Sequence, residues 1–322
     1  MGGIRRRATG AHRHRSLLPA PSQYSQLVLP DGTRRRAGST EGSRGCKHLC
    51  RHCPIVPVYG GRFRIIQRGV VLEDIRQQVA SGAQHITFGD PDFFNGIGHA
   101  LPLVRALHGE FPDVSYDVTI KIEHLLQHAR HIRTLRDTGC LFVTSAVESV
   151  DDAVLERLDK GHTRADFLAV VELFRDAELV LQPTFVPFTP WTTLEGYGEL
   201  LEVLPEHDLV ENVPPIQLGI RLLIPAGSRL LELGEVRELV APFDEAALFY
   251  PWRHPDPRVD ALCEQVQELV RAGDKLNRSR AQTFARIWRA SAAAATSERA
   301  QRPEPILVSR AAIPYLNEPW YC

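Results

Sequence analysis

The stretch Gly45-Cys46-Lys47-His48-Leu49-Cys50-Arg51-His52-Cys53-Pro54 puts three cysteines within eight residues, spaced C-x3-C-x2-C. Thiolates that close on one loop can ligate three irons of a [4Fe–4S] cube and leave the fourth iron open to a substrate or cofactor. Zinc is the competing occupant. A structural zinc site takes four closed ligands, usually as two separated pairs. Here Cys140, Cys263 and Cys322 are scattered singly. His48 or His52 would complete a zinc site only by straining a very tight loop.

On either side of this loop the chain alternates between strand and helix patterns. Apolar β-type runs fall at Gln84–Phe88, Ser115–Ile120, Leu141–Val147, Val180–Val186 and Ile216–Ile224, with a further strand around Thr33–Ser39 before the cysteines. Helical periodicity runs through Leu72–Ala80, where Leu72, Ile75 and Val79 share a face, and through Ile97–Glu110, Glu123–Asp137, Ala165–Ala177 and Leu194–Leu204. Gly82, Gly89 and Gly139 punctuate the ends of these elements. Such alternation means parallel βαβ units. Six of them predict an α/β fold, a partial (β/α)6 TIM-type barrel over residues 31–224, with a doubly wound sheet as the other arrangement. Residues 225–322 read as an irregular, mainly helical C-terminal extension with helices at Val259–Ala272 and Ala281–Ala295. Residues 1–30 are rich in Arg, His and Gly at the start and read as a disordered or mis-called N-terminal extension. Leu17-Leu18 is too short for the apolar segment of a signal peptide.

Composition narrows the class. The formal net charge is −1, with hydrophobic content of 43% and charged content of 24%, which argues against a general nucleic-acid or membrane-surface binder. No run approaches the ~20 apolar residues of a membrane span. Six cysteines, three of them clustered, point to metal chemistry in a reducing cytoplasm rather than to a disulfide scaffold. Lys47, Lys121, Lys160 and Lys275 are the only lysines, so an arginine carries little information here.

With an aromatic ring, His52, just before its last cysteine, and its place after the first strand of a βα series, the loop resembles the signature of the radical S-adenosylmethionine (SAM) superfamily. The resemblance covers about residues 33–224. It implies a [4Fe–4S] cluster on Cys46, Cys50 and Cys53 whose open iron is chelated by SAM, and a reductant such as flavodoxin or ferredoxin. It also implies a small-molecule or peptide substrate, while the near-neutral charge speaks against a nucleic-acid or membrane partner. Phe88-Gly89-Asp90-Pro91-Asp92 stands where relatives carry Gly-Gly-Glu for the SAM ammonium. Gly89 and Asp90 are thus expected there, with Asp92 as the alternative. Val147-Glu148-Ser149 is similar to the ribose-contacting strand end, with Glu148 accepting the hydroxyls and Ser145 assisting. Lys160, in the segment LERLDKGHT, matches a basic residue that meets the SAM carboxylate. The bland reading of Lys160 is a solvated lysine at a helix end capped by Gly161. Lys121 binds SAM or substrate, or pairs with Glu123. Gln182 and Thr184 face the barrel interior as a ligand contact or as a satisfied polar pair. The rings of Phe185, Phe188 and Trp191 read as packing. His85, His99 and His124 show no metal spacing and read as surface or helix-end residues.

The end of the chain, Ile313 to Cys322, resembles the tail of radical SAM proteins closing with Cys-Cys-Ala-Glu-Pro or Cys-selenocysteine-Ala-Glu-Pro. This implies an in-frame UGA after Cys322, with Cys322 as a soft catalytic nucleophile; an inert terminal cysteine is the alternative. Two other functions compete with radical generation: transfer of a 3-amino-3-carboxypropyl or methyl group from SAM, and a non-enzymatic cluster or zinc protein. Neither an auxiliary cluster nor a cobalamin-binding unit is expected.

Overall fold

The computed structural model describes residues 25–295, 305 and 313–317. Strands β1 (Ser25–Val28) and β2 (Arg34–Thr40) form an antiparallel hairpin, followed by β3 (Ser43–Gly45), α1 (Ile55–Tyr59) and β4 (Phe63–Ile65), which pairs with β3. The barrel series then runs α2 (Arg68–Ala80), β5 (His85–Phe88), α3 (Ile97–Glu110), β6 (Ser115–Thr119), α4 (Ile122–Gln127), α5 (Ile132–Asp137), β7 (Cys140–Glu148), α6 (Asp152–Leu158), α7 (Arg164–Ala177), β8 (Val180–Phe185) and α8 (Leu194–Glu206). Helices α9 (Gly234–Leu239), α10 (Pro257–Lys275) and α11 (Arg280–Ala294), and strand β9 (Tyr315–Asn317), complete the described elements.

The main sheet has the order β8-β7-β6-β5-β2-β1-β9, with β2, β5, β6, β7 and β8 all parallel. Outward residues Ile86, Phe88, Tyr116, Val118, Val143, Val147 and Leu181 pack with the helices in one large core. Inward residues Ala37 and Phe142 share a second cluster with Leu27, although β5 and β6 separate β2 from β7. Only a sheet curled on itself brings those inner faces together. This is the expected partial (β/α)6 barrel with a helical extension.

Local chemistry explains the elements. Helix α7 starts at a reciprocal capping box between Thr163 and Asp166, and buries Phe167, Val170, Val171 and Phe174 on one stripe. Each of those side chains contributes about 1.5–3 kcal/mol by leaving water.

Several expectations are corrected. The run Ile216–Ile224 is a single turn of 3-10 helix at Pro215–Leu218, followed by an isolated parallel bridge from Arg221 to Phe188. Pro214 and Pro215 withhold the N–H groups that a strand needs. The Gln217 side chain takes over part of that job, accepting from the Phe185 N–H at 3.2 Å. Glu123–Asp137 is two short helices joined by a 3-10 turn at Ala129–His131, starting after His128, a weaker helix former. The fold also begins earlier than residue 31, since β1 pairs with β2.

Candidate active site

The cluster loop is tied down on one side of the barrel mouth. Arg51 donates its N–H to the Leu158 carbonyl at 2.9 Å and its guanidinium to the Arg157 carbonyl at 3.0 Å, so the loop caps the end of α6. Asn95, buried after β5, accepts from the Lys47 N–H at 3.3 Å and lies 3.9 Å from the Cys46 sulfur. Cys46, Cys50 and Cys53 are free thiols. Burial first, then the Cys50 and Cys46 charges, push the Cys53 thiol up, and burial pushes Cys50 up as well. Three unpaired cysteines on one loop fit an iron–sulfur cube, which takes them as thiolates.

Against the loop, Glu148 ends β7 with φ +69°, in the left-handed region that a non-glycine residue avoids. The β7–β8 register shifts beside it, between Ala146 and Glu148. The Lys160 ammonium lies 3.2 Å and the His52 ring 3.0 Å from the same Glu148 oxygen. Burial alone would raise the Glu148 carboxyl, but Lys160 and His52 outweigh it and hold it down to about 2. Lys160 is 3% exposed, which corrects the reading of a solvated helix-end lysine. The left-handed cap of α6 is Asp159, not Gly161. Gly161 (φ +71°) lets the chain pass close to Glu123, whose carboxylate would lie 2.9 Å from an added Cβ. Charge complementarity, an acidic group facing a basic one inside the mouth, suits a zwitterionic ligand bearing hydroxyls.

Other expected residues fall differently. Gly89 is exposed at the end of β5, in reach of a ligand. The Asp90 carboxylate accepts from Gly42 N–H at 2.8 Å and from the Ser43 hydroxyl, so its bonds brace the β2–β3 connection. Burial pushes Asp90 up to about 6. Asp92 accepts from Phe94 N–H at 3.2 Å and faces His124 at 2.6 Å. Ser145 does not join Glu148, because it points outward, fully buried, and donates to the Ile120 carbonyl at 2.7 Å. Thr184 is half-buried on the inward face of β8. The Gln182 amide donates to the Pro314 carbonyl at 2.7 Å. Lys121 pairs with Glu123 at 2.8 Å. Cys322 lies outside the described residues.

The histidines need correction. His85 is fully buried and hydrogen-bonded, not a surface residue. His124 joins His48 and Asp92, which bring one donor atom each within 4.8 Å of one another. Yet the Lys121 ammonium sits 3.0 Å from His48 Nδ1, placing a positive charge beside any cation bound there. The trio therefore reads as a bracing network for the cluster loop. His99 stands in the first turn of α3, as a helix-end residue should. His162, buried near Lys160 with neither ring nitrogen hydrogen-bonded among the described residues, was not singled out in the sequence. The one sequence signal for His52 is its place beside the last cysteine.

A curled half-barrel with a three-cysteine loop at its mouth is an arrangement that suits an iron–sulfur cluster. Residues 40–194 match the family described as "Radical SAM superfamily", so the chain carries a radical SAM domain. The superfamily's cofactors, a [4Fe–4S] cluster and SAM, are those the cysteine loop led us to expect. The ribosomal protein uS12 methylthiotransferase RimO of Methylococcus capsulatus is 24% identical over 230 residues, 63% of this chain and 52% of its own. The tRNA-2-methylthio-N(6)-dimethylallyladenosine synthase of Sulfurihydrogenibium sp. is 25% identical over 182 residues, 51% of this chain and 39% of its own. The chain thus spans about half or less of the length of these curated relatives. The cobalamin-dependent SAM radical enzyme OxsB, solved with aqua-cobalamin and SAM bound, superposes with a TM-score of 0.63 at 16% identity. That match covers 74% of this chain and 42% of OxsB, and shows a shared fold.

Proposed function

We propose that this protein reductively cleaves SAM at a cluster held by Cys46, Cys50 and Cys53, and uses the resulting 5′-deoxyadenosyl radical to abstract hydrogen from a small-molecule or peptide substrate. The observation that carries this reading is the contact of the three-cysteine loop, through His52, with the buried Glu148–Lys160 pair at the end of β7. The cluster supplies the electron and the open coordination site. The chain's own residues orient and enclose. Lys160 meets the SAM carboxylate, Glu148 accepts the ribose hydroxyls, and the exposed end of β5 at Gly89 receives the ammonium. A reductant such as flavodoxin or ferredoxin delivers the electron. Within this reading the tail resemblance gives Cys322 the role of a soft nucleophile.

Group transfer is a second reading, favoured by the methylthiotransferases among the relatives. Products separate the two. Reduced enzyme with SAM should yield 5′-deoxyadenosine and methionine. Methylthioadenosine would indicate aminocarboxypropyl transfer, S-adenosylhomocysteine methyl transfer, and neither reading survives if SAM is recovered intact.

A further inference from the structure

Parallel strands covered on both faces normally read as continuous apolar runs. The inner face of this sheet does not. Leu27, Ala37 and Phe142 make an apolar floor. Above it the inward positions are Ser39, Thr87, Asp117, Thr119, Thr144, Ala146, Gln182 and Thr184, alternating with the outward core residues, and Gln182 is taken up by the Pro314 carbonyl. Ser39 is exposed, and Thr87, Thr119 and Thr184 are half-buried, although all four belong to paired strands, so the barrel is hollow at this level. Glu148 pairs with Phe185, one residue beyond Thr184, which places this chamber directly beneath the SAM cradle.

Asp117 is the one carboxylate on the inner face below Glu148 among the described strands. His85 Nε2 lies 2.8 Å and the Thr87 hydroxyl 2.7 Å from the same oxygen, Oδ1. Oδ2 makes no hydrogen bond among the described residues. His85 Nδ1 lies 2.9 Å from the Ser115 hydroxyl, which accepts from Arg35 at 3.1 Å. The Ser115 hydroxyl also lies 3.4 Å from the Gln84 carbonyl, and Arg35 stands two side chains from Asp117. Oδ2 is the carboxylate oxygen left open to a ligand. The Thr144 hydroxyl, on a residue 9% exposed, has no partner among the described residues either. A buried carboxylate and a buried hydroxyl left in this condition cost free energy that a ligand rich in N–H donors recovers.

We propose that this chamber binds the substrate, that the substrate is a small polar molecule or side chain carrying an ammonium or guanidinium group, and that Asp117 Oδ2 anchors that cation with Thr144 as a second acceptor. The proposal rests on the SAM reading above, and names the substrate class for that site. Hydroxyls along the walls suit a hydrophilic body, while the apolar floor limits its length.

The test uses cluster-loaded protein with SAM, and ligand-observed NMR with n-butylamine, butyrate and butanol as probes. Butylamine should bind in preference to the other two. Asp117→Asn should weaken that binding about tenfold, as loss of a charged hydrogen bond implies. Thr144→Val replaces an unpartnered hydroxyl by a methyl of equal size and should keep the fold while weakening butylamine a few-fold. A preference for butyrate or butanol, or equal butylamine binding by parent and Asp117→Asn, overturns the proposal. The effect of SAM on the electron paramagnetic resonance of the reduced cluster reads the cradle independently. Loss of that effect in the parent overturns the SAM reading, whereas an intact effect with no amine preference overturns the chamber alone.

Discussion

Glu148 concentrates the cost of the site in one residue. Its backbone is held at positive φ, and its carboxylate is buried against Lys160 and His52. Glu148→Gln leaves Lys160 buried and uncompensated, which should destabilise the protein by about 3 kcal/mol. The same change should weaken SAM binding by about 1–3 kcal/mol while iron content is retained. Urea denaturation and SAM titration read the two effects, and a variant indistinguishable from the parent in both would remove Glu148 from the cradle. His162 gives a pH signature. Burial first, then the Lys160 and Lys121 charges, hold its imidazole down to about 4, below its ordinary 6.5. Between those values the unfolded chain binds the extra proton, so stability falls as pH drops from about 6.5 toward 4. The group accounts for about 3 kcal/mol of that fall. His162→Asn should show a correspondingly shallower pH dependence of stability in the metal-free protein. An unchanged slope would contradict the burial argument. Asp90, pushed up to about 6, tilts the same window the other way, and comparison of variant with parent cancels it.

Among the elements, α7 shows how far local pattern decides structure. Its helical period over Ala165–Ala177 is legible in the sequence, and the structure adds the capping box of Thr163 and Asp166 and the buried stripe of Phe167, Val170 and Phe174. Thr163→Ala should cost about 1 kcal/mol and Phe174→Ala about 3–5 kcal/mol, measured by thermal or urea unfolding. Equal costs would contradict the dominance of burial in this helix. The cysteine loop and the barrel strands were legible for the same reason, because ligand spacing and apolar runs are local. The stretch 216–224 was not, because its apolar residues gave a strand period while Pro214 and Pro215 removed the donors. The side-chain bond of Gln217 to Phe185 is a tertiary fact with no local trace. His85 and His124 were misjudged for a similar reason. Their partners Asp117 and Asp92 lie 32 residues away in each case and come close only through strand adjacency and the α4 entry. The polar alternation of Ser115-Tyr116-Asp117-Val118-Thr119 is a readable sign of a wet inner face.

For the whole molecule, the described end of the chain folds back to the beginning. Strand β9 pairs with β1, Pro314 accepts from Gln182 on β8, and the Arg280 guanidinium lies over the Tyr315 ring at 5.3 Å. These contacts bridge the two edges of the curled sheet. Truncation after Ile313 should expose the β1 edge and leave Gln182 without its acceptor, lowering the midpoint of thermal unfolding by several degrees. Cluster uptake should survive, because the three cysteines are held by α6 and Asn95. A truncated protein as stable as the parent would show that β9 is a passive strand.

Electron paramagnetic resonance of the anaerobically reconstituted, reduced protein, recorded with and without SAM, tests the central claim most directly. About four irons per chain should give one [4Fe–4S] signal that changes when SAM is added. Cys46→Ala, Cys50→Ala and Cys53→Ala should each abolish it, and Glu148→Gln should require more SAM for the same change. Stoichiometric zinc without iron uptake, or a cluster signal indifferent to SAM, would contradict the account.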